Sequence, residues 1–164
     1  MAFFQHSRDL NFFDCSSQQK AVEHILDEWK KSGKHGIVHY VYYSNFILMQ
    51  RDEEFLKSML LADFILPDGI GLQLYFQIVK NHWLSNLNGT DLSPIFSAEL
   101  AKRKLPLAFY GTTKENIAEA TKKTRARHGE DSVYYFQDGF SPLKWEDLKD
   151  NSVLFVGMGS PRQE

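Results

Sequence analysis

Apolar positions recur at helical spacing in several stretches of the chain, and short apolar runs bounded by glycine, asparagine or aspartate separate them. Ser16, with Gln19 three residues on, predicts a capped helix whose Val22, Ile25, Leu26 and Trp29 share one face until Gly33. Gly36 to Tyr43 is rich in β-branched and aromatic residues without alternation, as in a strand covered on both faces, and it ends at Ser44-Asn45. Asp52 opens a second helix with Phe55, Leu56, Met59 and Leu60 on one side, and Phe64-Ile65-Leu66-Pro67 follows as a short strand ending at Asp68-Gly69.

The alternation continues to the end. A helix is predicted from Gly71 through Leu72, Tyr75, Ile78 and Val79. Another begins at Ser93 before Pro94, with Leu92, Phe96 and Leu100 facing inward. Leu105 to Tyr110 reads as a strand broken by Gly111-Thr112-Thr113, and Ile117, Ala118 and Thr121 mark a helix running to Gly129. Val133 to Phe136 is a strand, Asp138-Gly139-Phe140 a loop, Trp145 and Leu148 a short helix, and Ser152 to Val156 a strand entering Gly157-Met158-Gly159.

Five strands separated by helix-length segments predict an α/β, Rossmann-like three-layer stack with a mostly parallel central sheet. At 164 residues, with no repeat or linker, the chain is expected to form a single domain over 1–164. Ligands of such sheets gather beyond the carboxyl ends of the strands. The segments there are Ser44-Asn45, Asp68-Gly69, Gly111-Thr112-Thr113, Asp138-Gly139 and Gly157-Met158-Gly159.

Composition removes several classes of function. The 19 basic and 21 acidic residues leave a net charge of -2, so there is no overall positive field to gather nucleic acid, and no nucleic-acid partner is expected. Cys15 is the only cysteine, which excludes an internal disulfide framework or a thiolate-rich metal site and fits a cytoplasmic protein. Residues 1–8 lack the apolar stretch of a secretory signal, and no apolar run reaches the roughly 20 residues of a spanning helix. His35 and His39 fall across a loop and a strand, the other histidines are scattered and no D-x-D pair exists, so neither metal nor cofactor is expected. Charge on a departing phosphate would then be met by amides, helix ends or cations. Lys102-Arg103-Lys104 and the run from Lys122 to Arg127 read as solvated faces, or as contacts to lipid phosphates.

Asp68 is the candidate general base: it ends an apolar strand and precedes Gly69 and Gly71, which let a ligand approach a helix start. The other reading makes it a helix cap. Gly157-Met158-Gly159 and Gly111-Thr112-Thr113 are either plain turns or turns whose amides meet a diphosphate.

Five ordered blocks give the sequence a resemblance to the WecG/TagA/CpsF family of bacterial glycosyltransferases. They are Ala62-Asp63 leading to Leu66-Pro67-Asp68-Gly69-Ile70-Gly71, then Asn88-Gly89-Thr90-Asp91-Leu92, Tyr110-Gly111, Asp138-Gly139-Phe140, and Val153 through Gly157-Met158-Gly159-Ser160-Pro161-Arg162-Gln163-Glu164. The resemblance implies a metal-independent, inverting transfer of a sugar, N-acetylmannosamine as first expectation, from a UDP-sugar donor to a polyprenyl-diphosphate-linked acceptor during envelope or capsular polysaccharide synthesis. It also implies peripheral contact at the inner membrane face.

On this resemblance Asp68 is the base, and Ser44 and Asn45 stand near the acceptor sugar. Gly111, Gly139, Gly157 and Gly159 line the nucleotide-sugar pocket, and Gln163 is a polar site residue. Gly69, Gly89, Thr90, Asp91, Thr112, Phe140 and Arg162 complete the substrate contacts expected from the matched blocks. Asn86 stands where members often carry an arginine. The family continues beyond the position of Glu164, so the expectation is a domain lacking the family's C-terminal end, with a second copy as one way of covering the apolar face this would leave. Two other functions remain open: a relative that binds nucleotide-sugar or a partner protein without turnover, and, from the glycine pair alone, a nicotinamide-dependent oxidoreductase.

Overall fold

A computed structural model describes residues 10–49 and 51–163. The leader reading at residues 1–8 and Glu164 of the terminal block lie outside the described residues. The chain divides into two compact units, one reaching Ile95 and the other covering Phe96–Gln163.

The first unit begins with α1 (Gln18–Ser32), capped by the Ser17 hydroxyl rather than by Ser16 and closed by Gly33 in the left-handed region. Ala21, Val22, Ile25 and Leu26 form its buried face. Strand β1 (Val38–Val41) is shorter than the apolar run predicted, because α2 (Tyr43–Met49) starts inside that run. Helix α3 (Glu53–Leu60) is capped by the Asp52 carboxylate, and β2 (Phe64–Pro67) pairs parallel with β1 in the register Val38↔Phe64 to Val41↔Pro67. Helix α4 (Ile70–Lys80) follows after Asp68-Gly69. Val41, Met49, Phe55, Met59, Ile65 and Leu72 close the core with Leu10, each large apolar side chain contributing roughly 1.5–3 kcal/mol by burial.

Helix α5 (Gly89–Lys102) starts four residues before the expected Ser93 and carries Pro94 in its interior. Its start is fixed by a reciprocal cap: the Asn88 side-chain oxygen accepts from the Asp91 N–H at 2.9 Å, and the Asn88 amide donates to the Asp91 carboxylate at 2.8 Å. That cap outweighs the proline, whose missing N–H removes one helical hydrogen bond.

In the second unit, β3 (Leu107–Gly111) is the middle strand between β4 (Val133–Gln137) and β5 (Val153–Gly157), all parallel. Helix α6 (Lys114–His128) makes the crossover from β3 to β4. Between β4 and β5 the expected short helix is a single 3-10 turn at Trp145–Asp147. Leu100, Leu107, Ala108, Ile117 and Val133 are buried, and the Phe155 ring packs against those of Phe96 and Phe109.

The α/β class with parallel strands is therefore the one the alternation predicts. The described strands hydrogen-bond as two sheets, β1-β2 and β4-β3-β5. Among the described residues, no helix is long and apolar enough to cross a membrane.

Candidate functional site

Asp68 leaves the end of β2, where its N–H still donates to the Val41 carbonyl at 2.8 Å. Tyr40 pairs with Leu66, two residues before Asp68, so alternation puts Tyr40, Leu66 and Asp68 on one face. The loop after α4 returns beside β2, with the Leu87 N–H donating to the Pro67 carbonyl at 2.9 Å. A buried Gln73 on α4 fixes that loop by donating to the Leu84 carbonyl at 2.8 Å. Asn86 and Gly89 are thereby brought to Asp68 and Gly69.

The contacts at this corner are specific. The side-chain oxygen of Asn86 accepts from the Gly69 N–H at 2.9 Å, and the Gly89 N–H reaches an Asp68 carboxylate oxygen at 3.5 Å. Gly69 has φ of 87° and ψ of 159°, a conformation open to glycine and strained for other residues, and no side chain caps α4. Among the described residues, no cation is paired with Asp68. Burial pushes the Asp68 pKa up, the Gly89 N–H opposes the shift, and the nearby Asp91 carboxylate adds to it. The Tyr40 phenol is pushed up as well, by burial and then by Asp68, and stays neutral. Its ring lies beneath Gly89, 3.7 Å from where a Cβ would stand.

Ser44 and Asn45, expected in a loop, lie in the first turn of α2. Asn45 is buried and its side-chain oxygen accepts from the Tyr42 N–H at 2.7 Å, so it fixes the helix start, whereas Ser44 is exposed. Asp91 holds the α5 cap and also accepts from the Gln18 side chain at 3.4 Å, and Thr90 is exposed beside it.

In the second unit the exits of all three strands are tied together. The Thr112 N–H donates to the Gly157 carbonyl at 2.9 Å, and the Gly139 N–H donates to the Thr112 carbonyl at 3.0 Å. Gly111 has φ of 128°, and a Cβ there would lie 2.5 Å from the Gly157 carbonyl carbon. A Cβ on Gly139 would meet the Met158 sulfur, while one on Gly157 would project into open space. Phe140 is 79% exposed, its N–H held by the Asp138 carboxylate in a tight turn. The Gln163 side chain folds back to accept from the Gly159 N–H at 3.2 Å, and Arg162 is exposed. The Thr112, Gly139, Phe140 and Gly159 N–H groups are thus engaged within the rim, which lies beside the start of α6, capped by Thr113.

Sequence reasoning missed Tyr40, which is hidden in an apolar run without alternation, and the bond from Asn86 to Gly69. The signal for Tyr40 is the parallel register, which emerges only once β1 and β2 are paired.

Two curated relatives align with the chain. The N-acetylglucosaminyldiphosphoundecaprenol N-acetyl-beta-D-mannosaminyltransferase of Bacillus spizizenii is 29% identical over 108 residues, covering 63% of this chain and 42% of the relative. The protein of the same name from Bacillus subtilis is 24% identical over 119 residues, covering 70% of this chain and 46% of the relative. The chain therefore spans less than half the length of the curated relatives it matches. A family model described as glycosyl transferase, WecG/TagA/CpsF family, matches residues 9–164, nearly the whole sequence, and the chain belongs to that family.

Proposed function

We propose that the protein acts in an inverting, metal-independent transfer of a sugar from a UDP-sugar to a polyprenyl-diphosphate-linked sugar, in synthesis of an envelope polysaccharide. Asp68 takes the proton from the acceptor hydroxyl as that oxygen attacks the anomeric carbon, and a single displacement inverts the configuration. The turns at Gly111-Thr112, Gly139 and Gly157 receive the donor diphosphate beside the start of α6, whose first-turn amides meet its growing charge. N-acetylmannosamine as the donor sugar and N-acetylglucosamine as the acceptor sugar are carried over from the names of the two Bacillus relatives.

The observation that carries this reading is the state of Asp68. It is half-buried at a strand end, has no cationic partner among the described residues, accepts one long hydrogen bond, and has its proton affinity raised. A base needs that affinity, and an ion-paired structural carboxylate has the opposite shift. The test is UDP release from UDP-N-acetylmannosamine in the presence of a polyprenyl-diphosphate N-acetylglucosamine acceptor. Turnover that falls at least 10²-fold in Asp68→Asn, with the fold retained, supports the reading. Equal turnover in the two proteins, or tight NADH binding without UDP binding, overturns it.

A further inference from the structure

Residues 81–88 join α4 to α5 and form neither helix nor strand, yet this connection sets two contacts of the Asp68 corner. Asn86 accepts from the Gly69 N–H, and Gly89, where α5 begins, turns its N–H to the Asp68 carboxylate. The first half of the connection is held by Asp14. One of its carboxylate oxygens meets the His82 Nε2 at 2.8 Å and the other accepts from the Ser85 N–H at 3.0 Å. Asp14 is fixed in turn to the strand that carries the base. Phe12 bridges Ile65 in parallel, the Phe13 N–H donates to the Ile65 carbonyl at 2.9 Å, and the two rings pack edge-on against Phe76 and Phe64.

We propose that Asp14 is a positioning residue for the transfer: by clamping His82 and Ser85 to β2, it sets the Gly89 N–H against the Asp68 carboxylate and Asn86 against Gly69. The two carboxylates are held in opposite states. Burial works against the Asp14 anion, but the Ser85 amide and hydroxyl and the His82 ring outweigh it, and the Asp14 pKa is lowered. Burial prevails at Asp68, whose pKa is raised. Asp14 is therefore a satisfied anion whose bonds fix backbone, and Asp68 is the group left to exchange a proton. Releasing the clamp frees the connection one residue before Asn86, and a misplacement of about 1 Å at a reacting group costs up to about 10²-fold in rate.

The role rests on the reading of Asp68 as the base, but it has a signature that needs no turnover. The Asp91 carboxylate on α5 and the neutral Tyr40 phenol on β1 are the titratable groups facing Asp68, and the Gly89 N–H is the contact that opposes its raised proton affinity. Loosening the Gly89 contact moves the Asp68 titration to higher pH. Deleting a negative charge at position 14 without moving the connection would shift it to lower pH. Positioning and plain charge loss therefore differ in sign.

The test follows the side-chain carboxyl carbon of Asp68 by NMR against pH in the parent, Asp14→Ala and Asp14→Asn, with kcat/KM for sugar transfer measured alongside. In Asp14→Ala the Asp68 titration should move to higher pH and kcat/KM should fall about 10-fold or more. Asp14→Asn keeps an oxygen that can accept from the Ser85 N–H, and it should stay close to the parent in both. Glu28→Ala, which removes an exposed ion pair with Lys31 on α1, should change neither. Amide exchange in the parent adds a readout that depends on no variant: the Ser85 and Gly69 N–H groups should open together, with protection within about 10-fold of each other.

An Asp68 titration that is unmoved or lowered in Asp14→Ala, or displaced equally in Asp14→Asn, overturns the proposal. So does an unchanged kcat/KM in Asp14→Ala, or a Ser85 amide that exchanges faster than that of Gly69 by more than the stated margin. The two readings fail separately. A parent that releases no UDP sinks the transfer reaction and leaves the titration to be read by itself, whereas an unmoved titration beside intact turnover sinks only the role of Asp14.

Discussion

Adding one methyl group at Gly111 or at Gly157 should give opposite results, although both are glycines that close a strand in a matched block. Gly111 has φ of 128°, and its added Cβ would collide with the carbonyl oxygen of Gly157, lie 2.5 Å from the carbonyl carbon and 2.8 Å from the nitrogen. All three are backbone atoms of the neighbouring strand, so none can move without breaking the register Gly111↔Gly157. Overpacking of this kind costs about 1–3 kcal/mol, and left-handed strain in a residue with a side chain adds about 1–3 kcal/mol. Gly111→Ala should therefore lose about 3 kcal/mol or more, a fall in Tm of at least about 6 °C for a chain of this size. At Gly157 the Cβ meets nothing within 4 Å and no positive φ is required, so Gly157→Ala should keep its stability to within about 0.5 kcal/mol. If the Gly157 turn receives the donor diphosphate, that same methyl occupies ligand space and should weaken UDP binding about 10-fold or more. Thermal melts followed by titration with UDP check both halves. A Gly111→Ala protein as stable as the parent would refute the steric argument, and a Gly157→Ala protein with unchanged UDP affinity would refute the cradle.

In kinetics, the acid limb of the kcat/KM profile should lie above the ordinary carboxylate value of 3.8, and Asp68→Asn should abolish that limb along with activity. The same shift has a stability signature. With the folded pKa raised, the favourable contribution of protonated Asp68 is complete below the unfolded value and is lost as pH rises through the folded one. Asp68→Asn should therefore match the parent in acid and become the more stable protein toward neutrality; denaturant midpoints measured across that range decide the sign. Asn86→Ala removes the acceptor for the Gly69 N–H and should cost about 0.5–1.5 kcal/mol in urea unfolding, with turnover falling further than stability. Tyr40→Phe keeps the ring beneath Gly89 and should be nearly neutral, whereas Tyr40→Ala opens a cavity there and should cost about 3 kcal/mol or more.

Local periodicity made most elements legible. Val22, Ile25 and Leu26 lie on the buried face of α1, Phe55 and Met59 on that of α3, and the apolar runs at Phe64 and Val133 are strands. Where side-chain hydrogen bonds decide, the pattern misleads. The strand predicted through Tyr43 ends at Val41, because Asn45 bonds back to the Tyr42 N–H and a helix starts at Tyr43. The Asn88–Asp91 cap likewise sets the start of α5 against the signal of Ser93-Pro94. Of the apolar positions that marked the helix from Gly71, Leu72 is buried whereas Ile78 and Val79 are exposed, so periodicity located the helix but not its covered face. At the site, Asp68 and the glycine turns were visible as strand exits, while Tyr40 and the partner of Asn86 depend on which strands and loops pair.

The two readings of Asp68, cap or base, make different physical demands. A capping carboxylate lies at the start of the helix it follows, accepts short hydrogen bonds from first-turn amides, and has its anion stabilised so that its pKa falls. Asp68 does none of this for α4, whose N-cap is Gly69 and has no side-chain bond. Its one amide contact, 3.5 Å from Gly89, belongs to the start of a different helix, which Asn88 and Asp91 already cap between them. That single long bond does not offset burial, and the net shift is upward. A carboxylate kept there for stability would be better replaced by asparagine, which makes the same contact without a charge to desolvate. The fold therefore carries at this position an ionisable group that its own packing disfavours, which suits the proposed role as a base and which helix capping does not require.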